Sequence, residues 1–91
     1  MNTFRLTVST PDGNLLDEDV TFLLVRGAEG DLAILPGHIP FVTVLKPGVC
    51  RVEWDDDTER VAHAENGILT VSPDKVTLLS GTFRWTDDET E

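Results

Sequence analysis

VCRVEWDDDTERVAHAENGILTVSPDKVTLLS, residues 49–80, holds the pattern on which the fold of this chain turns. Four runs, Val49 to Trp54, Glu59 to Glu65, Ile68 to Ser72 and Lys75 to Ser80, are separated by Asp55-Asp56-Asp57-Thr58, Asn66-Gly67 and Pro73-Asp74. Short runs rich in apolar and β-branched residues, bounded by Asp, Asn, Gly and Pro, read as strands joined by turns. Asn66-Gly67 predicts a tight hairpin, because a type I′ turn needs positive φ at both central residues. In the first run Cys50, Val52 and Trp54 alternate with Val49, Arg51 and Glu53. Cys50 therefore falls on the more apolar side of a strand and reads as a small buried filler, not a reactive thiol. His63, between Ala62 and Ala64, shares a side with Val61 and reads as a semi-exposed strand residue.

The same logic extends toward the N-terminus. Phe4, Leu6 and Val8 alternate with Arg5, Thr7 and Ser9, which marks a half-buried strand, and Pro11-Asp12-Gly13-Asn14 turns it into a hairpin. A second strand is expected near Leu15 to Asp17 and a third over Val20 to Arg26, where Phe22, Leu23, Leu24 and Val25 form a continuous apolar run suited to burial on both faces. Then come the turn Gly27 to Asp31, a short run Leu32 to Leu35, a stiff loop Pro36-Gly37-His38-Ile39-Pro40, and the strand Phe41 to Leu45, closed by Lys46-Pro47-Gly48. A last short strand is expected over Thr82 to Trp85. Nine or ten short strands, with no amphipathic helical stretch, make the chain all-β: an antiparallel sandwich or flattened barrel. At 91 residues it has room for one domain and one small core, hiding roughly 60 to 65 per cent of its unfolded surface.

Composition excludes several function classes. No apolar run approaches the ~18 residues of a membrane span. Residues 1–3, Met, Asn and Thr, lack the basic start of a secretory signal, and the single cysteine suits a reducing compartment, so cytoplasmic residence is expected. A net charge of -10 repels nucleic acid and anionic lipid, and neither is expected as a direct partner. The acids gather at Asp17 to Asp19, Glu53 to Glu59 and the tail Asp87 to Glu91. They are expected at turns, strand ends or a terminus, as solvated charge that keeps edges from sticking.

The residues offer no catalytic, cofactor-binding or metal site. His38 and His63 have no cysteine or histidine at metal-ligand spacing, and Ser9, Ser72 and Ser80 lie at strand ends outside any nucleophile elbow. Gly27-Ala28-Glu29-Gly30-Asp31 lacks the Gly-Lys-Ser/Thr ending of a phosphate cradle, and its two acids repel phosphate. It reads as a tight turn that displays Glu29 and Asp31. His38, held between Pro36 and Pro40, is placed to meet a partner.

Taken together, Gly27-Ala28-Glu29-Gly30-Asp31-Leu32-Ala33-Ile34-Leu35-Pro36-Gly37-His38-Ile39-Pro40 resembles the signature of ATP synthase epsilon subunits. The likeness continues through Phe4 to Pro11, Leu45 to Val49, Gly67-Ile68-Leu69 and Pro73 to Thr77. The resemblance implies a ten-stranded antiparallel β-sandwich of two five-stranded sheets over residues 1–86, followed by an acidic tail, 87–91. It implies a non-catalytic rotor subunit without a cofactor, which fastens gamma to the membrane c-ring and couples proton translocation to ATP synthesis or hydrolysis. Glu29, Gly30 and Asp31 would face the c-ring loops, where single rim pairs contribute about 0.2 to 1 kcal/mol. His38, Thr10 and Thr43 would face gamma. The complex would sit at the cytoplasmic face of a bacterial inner membrane, or in the equivalent organelle compartment, and hold this chain to the membrane without direct lipid binding.

Two departures limit the transfer. Family members usually continue into a pair of C-terminal helices that restrain ATP hydrolysis and in some cases bind ATP. After Trp85 only Thr86 to Glu91 remain, whereas each helix wants ~12 residues or more. The helical hairpin, its inhibition and its ATP binding are therefore not carried over, and a naturally short subunit is expected from the start at Met1. Glu65-Asn66 stands where the family more often has small residues. The competing reading is a free-standing β-sandwich adaptor that offers an edge or loop to a soluble partner. An enzyme reading would require an activity that disappears on His38→Ala.

Overall fold

The structure, a computed structural model, describes residues 3–86. The tail 87–91 lies outside the described residues. Ten strands follow one another: β1 (Phe4–Thr10), β2 (Gly13–Val20), β3 (Phe22–Gly27), β4 (Gly30–Ile34), β5 (Phe41–Leu45), β6 (Gly48–Glu53), β7 (Glu59–Ala64), β8 (Gly67–Val71), β9 (Lys75–Ser80) and β10 (Phe83–Trp85).

Hydrogen bonding orders them β10-β7-β6-β3-β5-β8-β9-β1-β2, with β4 on the remaining side of β3. The path is continuous, but β3 and β5 meet in register only at Gly27 and Leu45. That seam is held by Ala28 N–H donating to Val44 O at 2.9 Å and Lys46 N–H to Arg26 O at 3.0 Å. On either side of it lie five strands: β4-β3-β6-β7-β10, and β5-β8-β9-β1-β2. These are the two expected sheets of the sandwich, joined at one corner.

Three expectations need correction. First, the sheet is not wholly antiparallel: β1 and β9 run parallel, in register from Arg5 opposite Lys75 to Ser9 opposite Leu79. Alternation reports which side of a strand faces the core and carries no information on the direction of its neighbour. Second, Asn66-Gly67 is not a hairpin. β7 pairs with β6 and β10 whereas β8 pairs with β5 and β9, so the dipeptide carries the chain from one sheet to the other. Glycine is required there by crowding: a Cβ on Gly67 would lie 1.9 Å from the carbonyl oxygen of Leu79. Third, the run Phe22 to Val25 is buried on one face only. Leu23 and Val25 point inward, while Phe22 and Leu24 are half-buried, with the Arg51 guanidinium 5.3 Å above the Phe22 ring.

The core lies between the sheets and is built by the inward set of each strand. Leu6 and Val8 of β1, Leu23 of β3, Val52 of β6, Leu69 of β8 and Val76 and Leu78 of β9 are fully buried, each contributing roughly 1.5 to 3 kcal/mol of transfer free energy. Cys50 is buried among them, as its alternation with Val49 and Arg51 implies. Burial pushes its thiol from 9.0 up to about 12. The folded chain is therefore expected to react with a thiol reagent at neutral pH only as fast as it unfolds, which a stopped-time assay beside an unfolding rate checks. Because the neutral thiol is favoured by folding, its contribution is complete below pH 9.0 and is lost as pH rises toward about 12.

The acidic groups are placed differently from one another. Asp17 to Asp19 sit inside β2, not at a strand end as expected, because β2 extends to Val20 as an edge strand along β1. Charge on such an edge opposes pairing with another chain. Arg5 of β1 donates from Nε to Asp17 at 2.8 Å and from a terminal nitrogen to Asp19 at 3.4 Å. The Arg5 hydrogen bond holds the Asp17 carboxyl below its ordinary range, so this clasp persists on acidification until pH falls through that lowered value. The segment Glu53 to Glu59 forms the β6–β7 turn as expected, with Asp57 at φ 69°.

Candidate docking face

The outward set of the second sheet positions the site. In β5, Phe41, Thr43 and Leu45 turn toward the interior, which leaves Val42 and Val44 outside. Register carries Val44 to Ile68 on β8, Ile68 to Leu79 on β9, and Leu79 to Ser9 on β1. One row of the sheet is thus apolar across three strands. The next row is polar after its first residue, running Val42, Thr70, Thr77, Thr7 and Asp17. So many exposed aliphatic side chains gathered at one end of one face are not explained by the core.

Two loops extend this apolar area. The β4–β5 loop presents Leu35 and Ile39, and Leu32 with Phe41 forms a shared wall between the hollow beside His38 and the hollow under Val44. Ile68 is in turn shared between that hollow and a third, lined by Thr10, Pro11 and Leu79. Exposures along the band run from 45% at Ile68 to 77% at Ile39. A contiguous apolar patch of this kind, with polar residues at its rim, has the anatomy of a protein-docking surface.

The six residues singled out from the sequence fall around this band, but not as one cluster. Thr43 and Glu29 line the hollow on one side of Ile68, and Thr10 lines the hollow on the other. Thr10 is the last residue of β1 and its hydroxyl oxygen accepts from Asp12 N–H at 3.2 Å, which fixes the β1–β2 turn. Glu29 is at the tip of the β3–β4 hairpin, where Ala28 and Glu29 are the two residues between the paired Gly27 and Gly30. Gly30 has φ +127°, a conformation that L side chains rarely adopt, so its side-chain-free backbone is a requirement of the hairpin itself. Asp31 is met within the chain, 3.3 Å from Nε of Arg26 directly across the ladder. Both acids stay exposed, and Glu29 is the one at the tip itself.

His38 does not project freely. Its Nδ1 lies 2.8 Å from Leu35 O and its Nε2 2.6 Å from Ser72 O, and its ring meets Phe4 edge to face at 5.5 Å. Of this loop, the side chain that stands out is Ile39. His63 is half-buried on β7, opposite Val49 and Arg84, remote in sheet order from the band.

Val42, Val44, Ile68, Leu79 and Ile39 are absent from the residues picked out by sequence reasoning. A signal was present: Phe41 to Leu45, Ile68-Leu69 and Leu78-Leu79 place apolar residues on both parities of half-buried strands, so one of each pair has to face outward.

Comparison with known proteins agrees with this architecture. The family described as ATP synthase, Delta/Epsilon chain, beta-sandwich domain matches residues 3–86. Proteins named ATP synthase epsilon chain are similar along most of the sequence. That of Bacillus subtilis is 46% identical over 80 residues, 88% of this chain and 60% of its own. That of Acinetobacter baylyi is 40% identical over 82 residues, 90% of this chain and 59% of its own. The chain spans about three-fifths of the length of these relatives. Among solved structures, a chain in the Euglena gracilis mitochondrial ATP synthase, OSCP/F1/c-ring assembly, superposes with a TM-score of 0.89 at 23% identity, covering 97% of this chain and 56% of that one. A chain of the Tetrahymena thermophila mitochondrial ATP synthase central stalk/c-ring superposes at 0.76 with 15% identity, covering 88% and 64%. By the family match over residues 3–86 and the identity to epsilon chains, this protein belongs to the ATP synthase delta/epsilon beta-sandwich family.

Proposed function

We propose that this chain is a non-catalytic rotor subunit of a rotary ATP synthase, which fastens the gamma subunit to the c-ring so that ion flow and ATP turnover stay coupled. The observation that carries the reading is the outward apolar row Val44, Ile68 and Leu79, with Thr43 and Thr10 lining the hollows on the two sides of Ile68. Gamma is assigned to this band because apolar burial supplies hold, and Thr10 and Thr43 flank its centre. The tip Ala28-Glu29 is assigned to the c-ring loops, where a carboxylate sets register with basic side chains more than it adds affinity. His38 contributes to the gamma side by setting the loop that bears Ile39, its own ring nitrogens being occupied. The chain works at the cytoplasmic face of a bacterial inner membrane, or in the equivalent organelle compartment, and reaches the membrane through the complex.

Charge reversal at the hairpin tests the c-ring assignment. In reconstituted vesicles, Glu29→Lys is expected to loosen coupling between proton flow and ATP turnover, while far-UV circular dichroism of the isolated chain stays that of the wild type. Asp31→Lys is expected to act more broadly, since it also sets a second cation against Arg26 across the ladder. Coupling unchanged by both substitutions contradicts the ring contact.

A further inference from the structure

From the geometry around His38 we infer that this residue is a proton-dependent clip, whose imidazolium ties the Leu35–Pro40 loop to the β8–β9 turn and thereby sets Ile39 on the docking face. Both ring nitrogens sit at hydrogen-bond distance from backbone carbonyls, Nδ1 from Leu35 O at 2.8 Å and Nε2 from Ser72 O at 2.6 Å. A carbonyl oxygen only accepts. A neutral imidazole carries one N–H and donates to one of the two, leaving its other nitrogen lone pair facing an oxygen lone pair. The doubly protonated ring donates to both.

The two ties do different jobs. The bond to Leu35 is local and folds the loop on itself, whereas the bond to Ser72 crosses thirty-four positions of sequence to the end of β8. Pro36 and Pro40 fix φ at both ends of the intervening segment, so few motions remain to it once the ring is anchored. Ile39, next to the anchored ring, is the most exposed large aliphatic residue of the band. Releasing either tie lets that side chain leave the position from which it extends the Val42–Val44 surface.

The charged groups on the elements packed around the ring are Arg5 beside Phe4 on β1, and Asp74 and Lys75 beyond Ser72. Arg5 is turned to Asp17 and Asp19. Among the described residues, no hydrogen bond or ion pair joins these groups to the imidazole. The clip is closed when both ring nitrogens carry protons and half-open when the ring is neutral, because only the doubly protonated ring satisfies both carbonyls.

The consequence for docking rests on the gamma assignment made above, so the test separates the two. Nuclear magnetic resonance of the full chain from about pH 5 to about pH 8, the span in which histidine side chains change charge, reads the clip without any partner. The expected result is protons on both His38 nitrogens at the acid end. The amides of Leu35, Gly37, Ile39, Ser72 and Asp74 should shift with the His38 midpoint and not with that of His63. Capture of gamma should weaken about five-fold or more across the same titration. It should stay level in His38→Gln, whose amide does not titrate. If His38 titrates while the loop and turn amides stay still, the clip is overturned, whatever gamma does. If those amides move together but gamma binds at no pH, the docking reading falls and the clip stands. Capture that weakens equally in His38→Gln overturns the link between clip and docking.

Discussion

Gly67→Ala is expected to destabilise the chain by about 3 kcal/mol or more and to lower the midpoint of thermal unfolding by roughly 12 °C or more. The added methyl would sit 1.9 Å from Leu79 O, 2.9 Å from the Leu79 carbonyl carbon and 2.9 Å from the Ser80 Cα, all backbone atoms of the neighbouring strand. No rotamer change relieves a clash between two backbones. Relief would require β8 and β9 to separate where Gly67 opposes Ser80, and that corner is tied from several sides. Gly81 N–H donates to Asn66 O at 3.0 Å, and the buried Ser80 hydroxyl lies 2.7 Å from both Glu65 O and Thr82 O. Against a stability of about 5 to 14 kcal/mol for a domain of this size, the loss is a large fraction. Gly81→Ala is the control: its methyl would meet only Asn66 O, at 3.7 Å, and a change within about 1 kcal/mol is expected. Differential scanning calorimetry of the two variants decides the matter. Equal, small effects would show that the crossover between the sheets is looser than these distances require.

The second large effect is on binding. Ile68→Asp is expected to weaken capture of gamma by about thirty-fold or more, equivalent to about 2 kcal/mol, with the fold retained. Ile68 opposes Val44 on one side and Leu79 on the other and borders two of the three hollows of the band, so it stands at the centre where truncations cost most. It faces solvent in the free chain, and a carboxylate there meets water instead of the core. In a complex the same carboxylate would be stripped of water among aliphatic side chains with no cation to receive it. Val49→Asp, at a similarly exposed valine on the other sheet, supplies the comparison and is expected to leave capture unchanged. A calorimetric titration of each variant with gamma gives both values. Loss of capture by Val49→Asp alone would move the docking face to the opposite sheet.

Much of the framework is legible in the residues because period-two alternation states which side of a strand is inside. Phe4, Leu6 and Val8, and likewise Val76 and Leu78, are buried as their spacing implies, and the limits of Phe41–Leu45 and Lys75–Ser80 are those expected. What alternation cannot state is who the neighbour is. The parallel pairing of β1 with β9, and the passage of Asn66-Gly67 between sheets, depend on how two layers close on each other. Asn-Gly was a sound turn signal for a local hairpin, but tertiary crowding explains the glycine here.

The site was legible in part. Glycines and prolines around residues 27–40 marked the hairpin tip and the stiff loop, since such residues advertise backbone geometry. Side-chain direction is another matter. His38 looked free on its loop because Ser72, thirty-four positions away, leaves no trace near it in sequence. Asp31 is displayed to solvent, but its pairing with Arg26 is not legible in the residues, because the two become neighbours only once the hairpin forms. The apolar band is hidden in the residues because Val44, Ile68 and Leu79 each sit beside a core residue and pass for core themselves.

The most direct test is hydroxyl-radical footprinting of the chain, free and bound to gamma, with modification read residue by residue. The expected result is strong protection of Ile39, Val42, Val44, Ile68 and Leu79 in the complex, while Leu15 and Val49, comparably exposed in the free chain, keep their reactivity. Protection of Val49 with the band still reactive, or no stable complex from a folded chain, would contradict a rotor subunit that holds gamma through the outer face of β5, β8 and β9.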